Sequence, residues 1–193
     1  MTQGFMDEFE TVEILVNSNA KTGRTDAFII SYTKLEKQVR RIFTYLIYQS
    51  PAFSISNYKN ILEIIASKKY LSFANFIKGF DTLYPKSFES IIGRACYAKF
   101  LNTDFPRIRE YRNKILHGQP TGEHLSADDL KKEIEIMRNW CSSVAESMMS
   151  EICYDGLEWN SFRKNSSKDL ATTYKMTISN ISALETFIET NMK

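Results

Sequence analysis

Turn-forming residues are scarce in this chain: its 193 residues include only seven glycines and four prolines. An all-β protein needs many tight turns, so this scarcity favours helices joined by few loops. Apolar residues recur at the spacings a helix requires. Leu35, Val39, Ile42 and Leu46 stand four, three and four apart, forming one stripe of a helix from about residue 25 to 49 that Ser50-Pro51 ends.

Residues 57–102 carry three shorter apolar clusters, around Ile61–Ile65, Leu71–Phe80 and Phe88–Phe100, punctuated by Gly79, Pro85 and Gly93. A further short helix is expected over 104–117, with Gly118 in the left-handed position after it and Pro120 blocking continuation. Ser126 to Asp129 reads as a capping box opening the longest helix, to about Cys153, along the stripe Leu130, Ile134, Met137, Cys141, Val144 and Met148. Residues 155–165 read as a loop. Ser166 to Asp169 reads as a second capping box, opening a last helix along Leu170, Tyr174, Ile178, Ile181, Leu184 and Ile188. Residues 1–23 are ambiguous: Val12, Ile14 and Val16 alternate as in a strand, while Phe9 and Leu15 suit a helical turn. The expected fold class is all-α, a bundle of five or more helices.

Composition narrows the class further. Hydrophobic residues make up 43%, enough for an ordinary core, and no segment approaches the roughly 20 apolar residues of a membrane span. Three cysteines without a Cys-x-x-Cys pair argue against a disulfide framework, and the polar, acidic start lacks a secretory pattern, so a cytoplasmic location is expected. A net charge of +2 is too small to announce nucleic-acid binding, so any such site must be a local patch. Phosphate-loop, dinucleotide and His-Glu-x-x-His patterns are absent. The only histidines are His117 and His124, and the nearby acids Glu123, Asp128 and Asp129 include two better read as helix-start charges, so neither metal nor cofactor is expected.

The segment from Phe105 to His117 stands apart. At about 100° per residue, Phe105, Ile108, Tyr111, Ile115 and Leu116 share a broad apolar face, and Arg112 falls inside it. Arg109, Asn113 and His117 form a polar stripe alongside, four residues from one to the next. A buried, unpaired guanidinium costs several kcal/mol. Arg112 must therefore be paired, snorkel past its neighbours, or face a cleft or a second subunit. Tyr111 belongs to the core or stacks a base, the core reading being favoured by its place on the apolar face. The basic run at 161–164 reads as a wet surface.

The segment Arg112-Asn113-Lys114-Ile115-Leu116-His117-Gly118 resembles the Arg-x4-6-His motif of the HEPN superfamily, including its polar residue directly after the arginine. The opening helix with Tyr32, Leu35, Glu36 and Val39, and the loop, capping box and long helix after the motif, are similar too. The resemblance covers residues 25–153. Residues 1–24 then form an N-terminal extension, and 154–193 a C-terminal loop and helix packing on the bundle. It implies a metal-independent endoribonuclease, a toxin or a phage- or plasmid-defence effector, whose two motifs meet in the cleft of a homodimer and which an antitoxin or inhibitor protein can accompany. Catalysis would fall to Arg112 and His117. Imidazole titrates near neutrality and serves as base or acid, while the guanidinium keeps its charge and matches phosphate oxygens. Asn113 would orient the imidazole or hold a phosphate, and Arg107, Arg109 and Lys114 would draw in RNA. The alternatives are a catalytically silent module of the same type that binds RNA, nucleotide or a partner protein, and a plain helical scaffold.

An arginine inside an apolar face suits a shared cleft better than a sealed core. The purified protein is expected to scatter light as a dimer at micromolar concentration; a monomer there counts against the shared cleft.

Overall fold

The computed structural model describes residues 1–119 and 125–193. The expectations for Pro120, Glu123 and His124 lie outside them. Among the described residues there are nine α-helices and no strand: α1 Gln3–Asn17, α2 Gly23–Gln49, α3 Tyr58–Ser67, α4 Phe73–Leu83, α5 Phe88–Ile92, α6 Arg94–Lys99, α7 Phe105–Leu116, α8 Ala127–Ile152 and α9 Ile181–Asn191. None is long and apolar enough to cross a membrane.

The long helices α2 and α8 pack together, with α1 and α4 also against α2. Each of the two stripes read from the sequence is buried along its whole length. From Ile42 onward α2 is buried on every side, as expected for a helix wrapped by neighbours. The box at Ser126 forms: its hydroxyl accepts from Asp129 N–H at 3.1 Å, and the Asp129 carboxylate accepts from Ser126 N–H at 3.1 Å.

The N-terminal ambiguity resolves as helix. Thr2 caps α1 through a 3.1 Å bond accepted from Phe5 N–H, and Phe5, Phe9 and Val12 bury one face, while Ile14 of the alternating trio is 63% exposed. The expected 1–24 extension thus contributes to the same core as the rest of the bundle.

The second expected capping box does not open a helix, which corrects the reading of 166–188. Asn165 Oδ1 accepts from Ser167 and Lys168 N–H at 2.8 and 3.0 Å, and only a single 3-10 turn follows at Leu170–Thr173. The chain then runs as a strap across the bundle. Tyr174 OH donates to Leu46 O at 2.8 Å, Lys175 N–H to Leu83 O at 2.9 Å, and Ser50 Oγ to Ile178 O at 2.9 Å. Leu170 and Ile178 are buried outside any α-helix, so long-range bonds outweighed the local pattern. The last helix begins at Ile181, where Asn180 Oδ1 accepts from Ala183 N–H at 2.8 Å.

One polar side chain joins α2, α8 and the loop that follows α8. Gln38 is fully buried, and its amide donates to Cys141 O and to Asp155 O, both at 3.0 Å. The Gln38→Leu variant keeps the volume but removes both hydrogen bonds, leaving the buried Asp155 carbonyl without that partner while Cys141 O keeps its bond within α8. Each such loss costs about 1–3 kcal/mol. Urea unfolding should register a loss of about 2–4 kcal/mol, and an unchanged midpoint would show that the loop is held by other contacts.

Candidate functional site

The helix that carries Arg112 and His117 begins at α6, because α6 and α7 are continuous through a π turn at Phe100–Asp104. Proline inside an α-helix removes one hydrogen bond and clashes with the carbonyl four residues back. Here Pro106 follows Phe105, whose N–H bonds Phe100 O, five residues back instead of four. The wider turn accommodates the proline without ending the helix, and such turns often accompany functional sites. The boundary between the clusters of 57–102 and the helix expected over 104–117 is thus a change of register.

Three contacts set the position of α7. The Phe105 ring stacks on Phe73 at 4.5 Å and lies parallel to Tyr32 at 6.2 Å between centroids. Ile108 is fully buried. Arg107 reaches α8: its Nε and Nη2 donate to the two oxygens of the buried Glu133 at 2.8 and 3.0 Å, and Nη2 also meets Asp104 at 3.0 Å. The two carboxylates push the Arg107 pKa still higher. This arginine fastens α7 to α8, and its charge is neutralised, contrary to its expected part in drawing in RNA.

Lys114 is likewise not an isolated charge, since it pairs with Glu110 at 2.6 Å. Arg109 is exposed. Arg112 is half-buried, as a cation inside an apolar face has to be. Its guanidinium lies over the Tyr32 ring, 5.3 Å from the centroid, and Nη1 donates to Asn113 Oδ1 at 3.0 Å. Among the described residues no carboxylate forms an ion pair with it. Burial, then Glu36, raises the Tyr32 pKa, and Arg112 opposes the rise, so the ring beneath the cation stays a neutral phenol. Tyr111 packs against the core.

The end of α7 follows a Schellman arrangement. Gly118 has φ +60°, Gly118 N–H bonds Ile115 O at 3.3 Å, and Gln119 N–H bonds Lys114 O at 2.9 Å. His117 sits at the cap with φ −96° and ψ 5°, exposed, its N–H on Asn113 O at 3.0 Å. Asn113 therefore holds the arginine with its side chain and the histidine with its backbone. The structure brings Arg112, Asn113 and Tyr32 together, and no hydrogen bond joins the His117 ring to Arg112 within one chain. Among the described residues no group of three or more His, Cys, Asp or Glu side chains is placed to hold a metal ion.

Two contributors escape the sequence reading. Tyr32 belongs to the α2 stripe and gives no separate sign of being a platform for a cation. Glu133 left a signal: three after Leu130 and four before Met137, it puts a carboxylate on the buried face of α8.

Compared with protein-family profiles, with curated proteins and with solved structures, the chain matches none.

Arg107 and Arg112 of α7 differ in role, and thermal melts separate them. Arg107→Ala leaves the buried Glu133 without its partner and should cost about 2–4 kcal/mol. Arg112→Ala loses one cation–π contact and should cost no more than about 1 kcal/mol. If Arg112→Ala unfolds the protein, the arginine is structural.

Proposed function

We propose that this chain is a metal-independent endoribonuclease of the HEPN type, with Arg112 and His117 as its catalytic residues. The observation that carries this reading is the state of Arg112. A half-buried guanidinium, with no carboxylate partner among the described residues, is held on an aromatic ring and by Asn113, five residues before an exposed imidazole at a helix end. Such a cation is preorganised for an anion that arrives from outside, and a planar guanidinium fits a phosphate.

In the proposed reaction the RNA 2′-oxygen attacks the adjacent phosphorus and the P–O5′ bond breaks. A 2′,3′-cyclic phosphate and a 5′-hydroxyl result. One imidazole takes the 2′-hydroxyl proton and another delivers a proton to the departing 5′-oxygen. One chain supplies one His117, so a symmetric pair supplies both. Leu116, half-exposed beside His117, offers apolar surface for that pairing. Arg112 neutralises the charge that builds on the phosphorane. Arg109 is the remaining exposed cation of the stripe for guiding RNA, whereas Lys114 shares its charge with Glu110. A toxin or defence effector, with an inhibitor protein nearby, is the biological role that goes with this chemistry.

RNA cleavage by the purified protein should continue in EDTA. Arg112→Ala and His117→Ala should each lower it by about 10²–10⁴-fold. Arg112→Lys should not rescue, since lysine keeps the charge and loses the fork. Activity that disappears with chelator and returns with magnesium or zinc overturns the mechanism. Wild-type cleavage by His117→Ala moves the reading to a silent RNA- or nucleotide-binding module.

A further inference from the structure

The segment 157–165 lies along the second half of α2 and separates two clefts that share Asn160. One cleft, of about 260 Å³, has Tyr45 and Tyr154 at its wall with Trp159, Arg163 and Lys164 at its rim. The other, of about 400 Å³, lies between α2 and α3 and is lined by Arg40, Arg41, Lys68 and Lys69 together with Tyr58 and Phe162.

The chain has 23 acidic residues, yet among the described residues neither cleft is lined by one. Six cations line them. Among the described residues only Lys68 of these six is paired with a carboxylate, Glu189, at 2.6 Å. Arg41 donates to the carbonyls of Leu157, at 2.8 Å, and Trp159. Lys164 donates to the carbonyls of Tyr48 and, at 2.7 Å, Ser50. Both therefore fix the backbone through neutral carbonyls rather than carboxylates. Arg40, Lys69 and Arg163 are exposed. Aromatic surface alternates with the charge: Trp159 is 43% exposed with Arg163 4.4 Å above its ring, and Tyr58 meets Phe162 edge-on at 4.4 Å.

We infer that the two clefts form one binding track for single-stranded nucleic acid. A basic groove that follows the backbone, with exposed rings on which bases stack, is what sequence-tolerant recognition of a single strand requires. A protein surface or a membrane needs no such interleaving of rings and cations. The track includes no residue of α7, and its α2 residues, from Arg40 to Tyr45, lie about 12–20 Å along the helix from Tyr32 at 1.5 Å per residue. It is a second site, and it does not depend on α7 being catalytic.

The test is fluorescence anisotropy with a labelled 12-nucleotide oligothymidylate, which has no 2′-hydroxyl and cannot be cleaved by the proposed chemistry. An oligouridylate arm uses the Arg112→Ala/His117→Ala double variant. For single strands the salt slope of log Kd changes by about 0.7 per phosphate contact. Arg40→Gln/Lys69→Gln, both at exposed positions, should weaken binding at least about tenfold and flatten the slope by about 1.4. Trp159→Ala should weaken it about tenfold at an unchanged slope, because stacking carries no counterion release. Equal binding of both oligonucleotides identifies any single strand as the ligand; preference for oligouridylate identifies RNA. No binding of either strand, variants that bind like wild type, or binding to phosphatidylserine vesicles alone overturns the track. Oligothymidylate binding in a protein that cleaves no RNA supports the track and removes only the catalytic reading of α7.

Discussion

The Gln38 amide sits where α2, α8 and the chain leaving α8 meet, and its two donated hydrogen bonds join all three. Without it, the buried Asp155 carbonyl loses that partner and Cys141 O keeps only its bond within α8. The chain then turns tightly against α2: Gly156 has φ +79°, and a Cβ there would lie 2.8 Å from Gln38 O. Asp155 braces the turn by accepting from Leu157 and Glu158 N–H at 2.8 and 3.0 Å and from Thr2 Oγ1 at 2.8 Å, which also ties down the start of α1. Farther along, Arg41 and Lys164 bind backbone carbonyls of the loop and of the end of α2. Lysine on the last carbonyls of a helix favours its negative end, and burial lowers the Lys164 pKa. One helix thus organises both termini, and its surface becomes the fixed reference for two sites.

The first site depends on that reference through Tyr32. A guanidinium in an apolar face is tolerable only if something other than hydrocarbon receives it, and the Tyr32 ring and the Asn113 amide do so. The division of labour along α7 follows from neighbouring chemistry. Arg107 faces buried carboxylates and becomes a fastener, Lys114 finds Glu110, and Arg112 finds, among the described residues, a ring and an amide. Residues within two turns of one helix therefore differ in their capacity to meet an incoming anion. Beyond Arg112 the Schellman bonds at Gly118 fix the carbonyls of Lys114 and Ile115 and leave His117 exposed at the tip.

Much of this was legible in the sequence wherever a local rule acts alone. The stripes of α2 and α8, the box at Ser126, the glycine stop at Gly118 and the anomaly of Arg112 each follow from spacing and residue type. The reading was less secure where distant contacts decide. The spacing of Leu170, Tyr174 and Ile178 is helical, yet the segment is a strap, because its polar groups find partners on α2 and α4. Lys164 reads as a wet surface charge, and its carbonyl partners lie 114 and 116 residues away. The charge expected of Arg107 was cancelled by Glu133, visible only as an acid out of place on a buried stripe. Helix periodicity cannot distinguish a cation that grips the fold from one that waits for a ligand; the nearest carboxylate decides.

Arg112 and His117 are proposed to cleave RNA through its own 2′-hydroxyl. Mass spectrometry of the ends produced by the purified protein tests it most directly. Attack by the 2′-oxygen leaves a 2′,3′-cyclic phosphate on one fragment and a 5′-hydroxyl on the other, and makes no cut where the scissile nucleotide carries a 2′-deoxyribose. Fragments ending in a 3′-hydroxyl and a 5′-phosphate would mean that water, not the 2′-oxygen, attacks, and would contradict it.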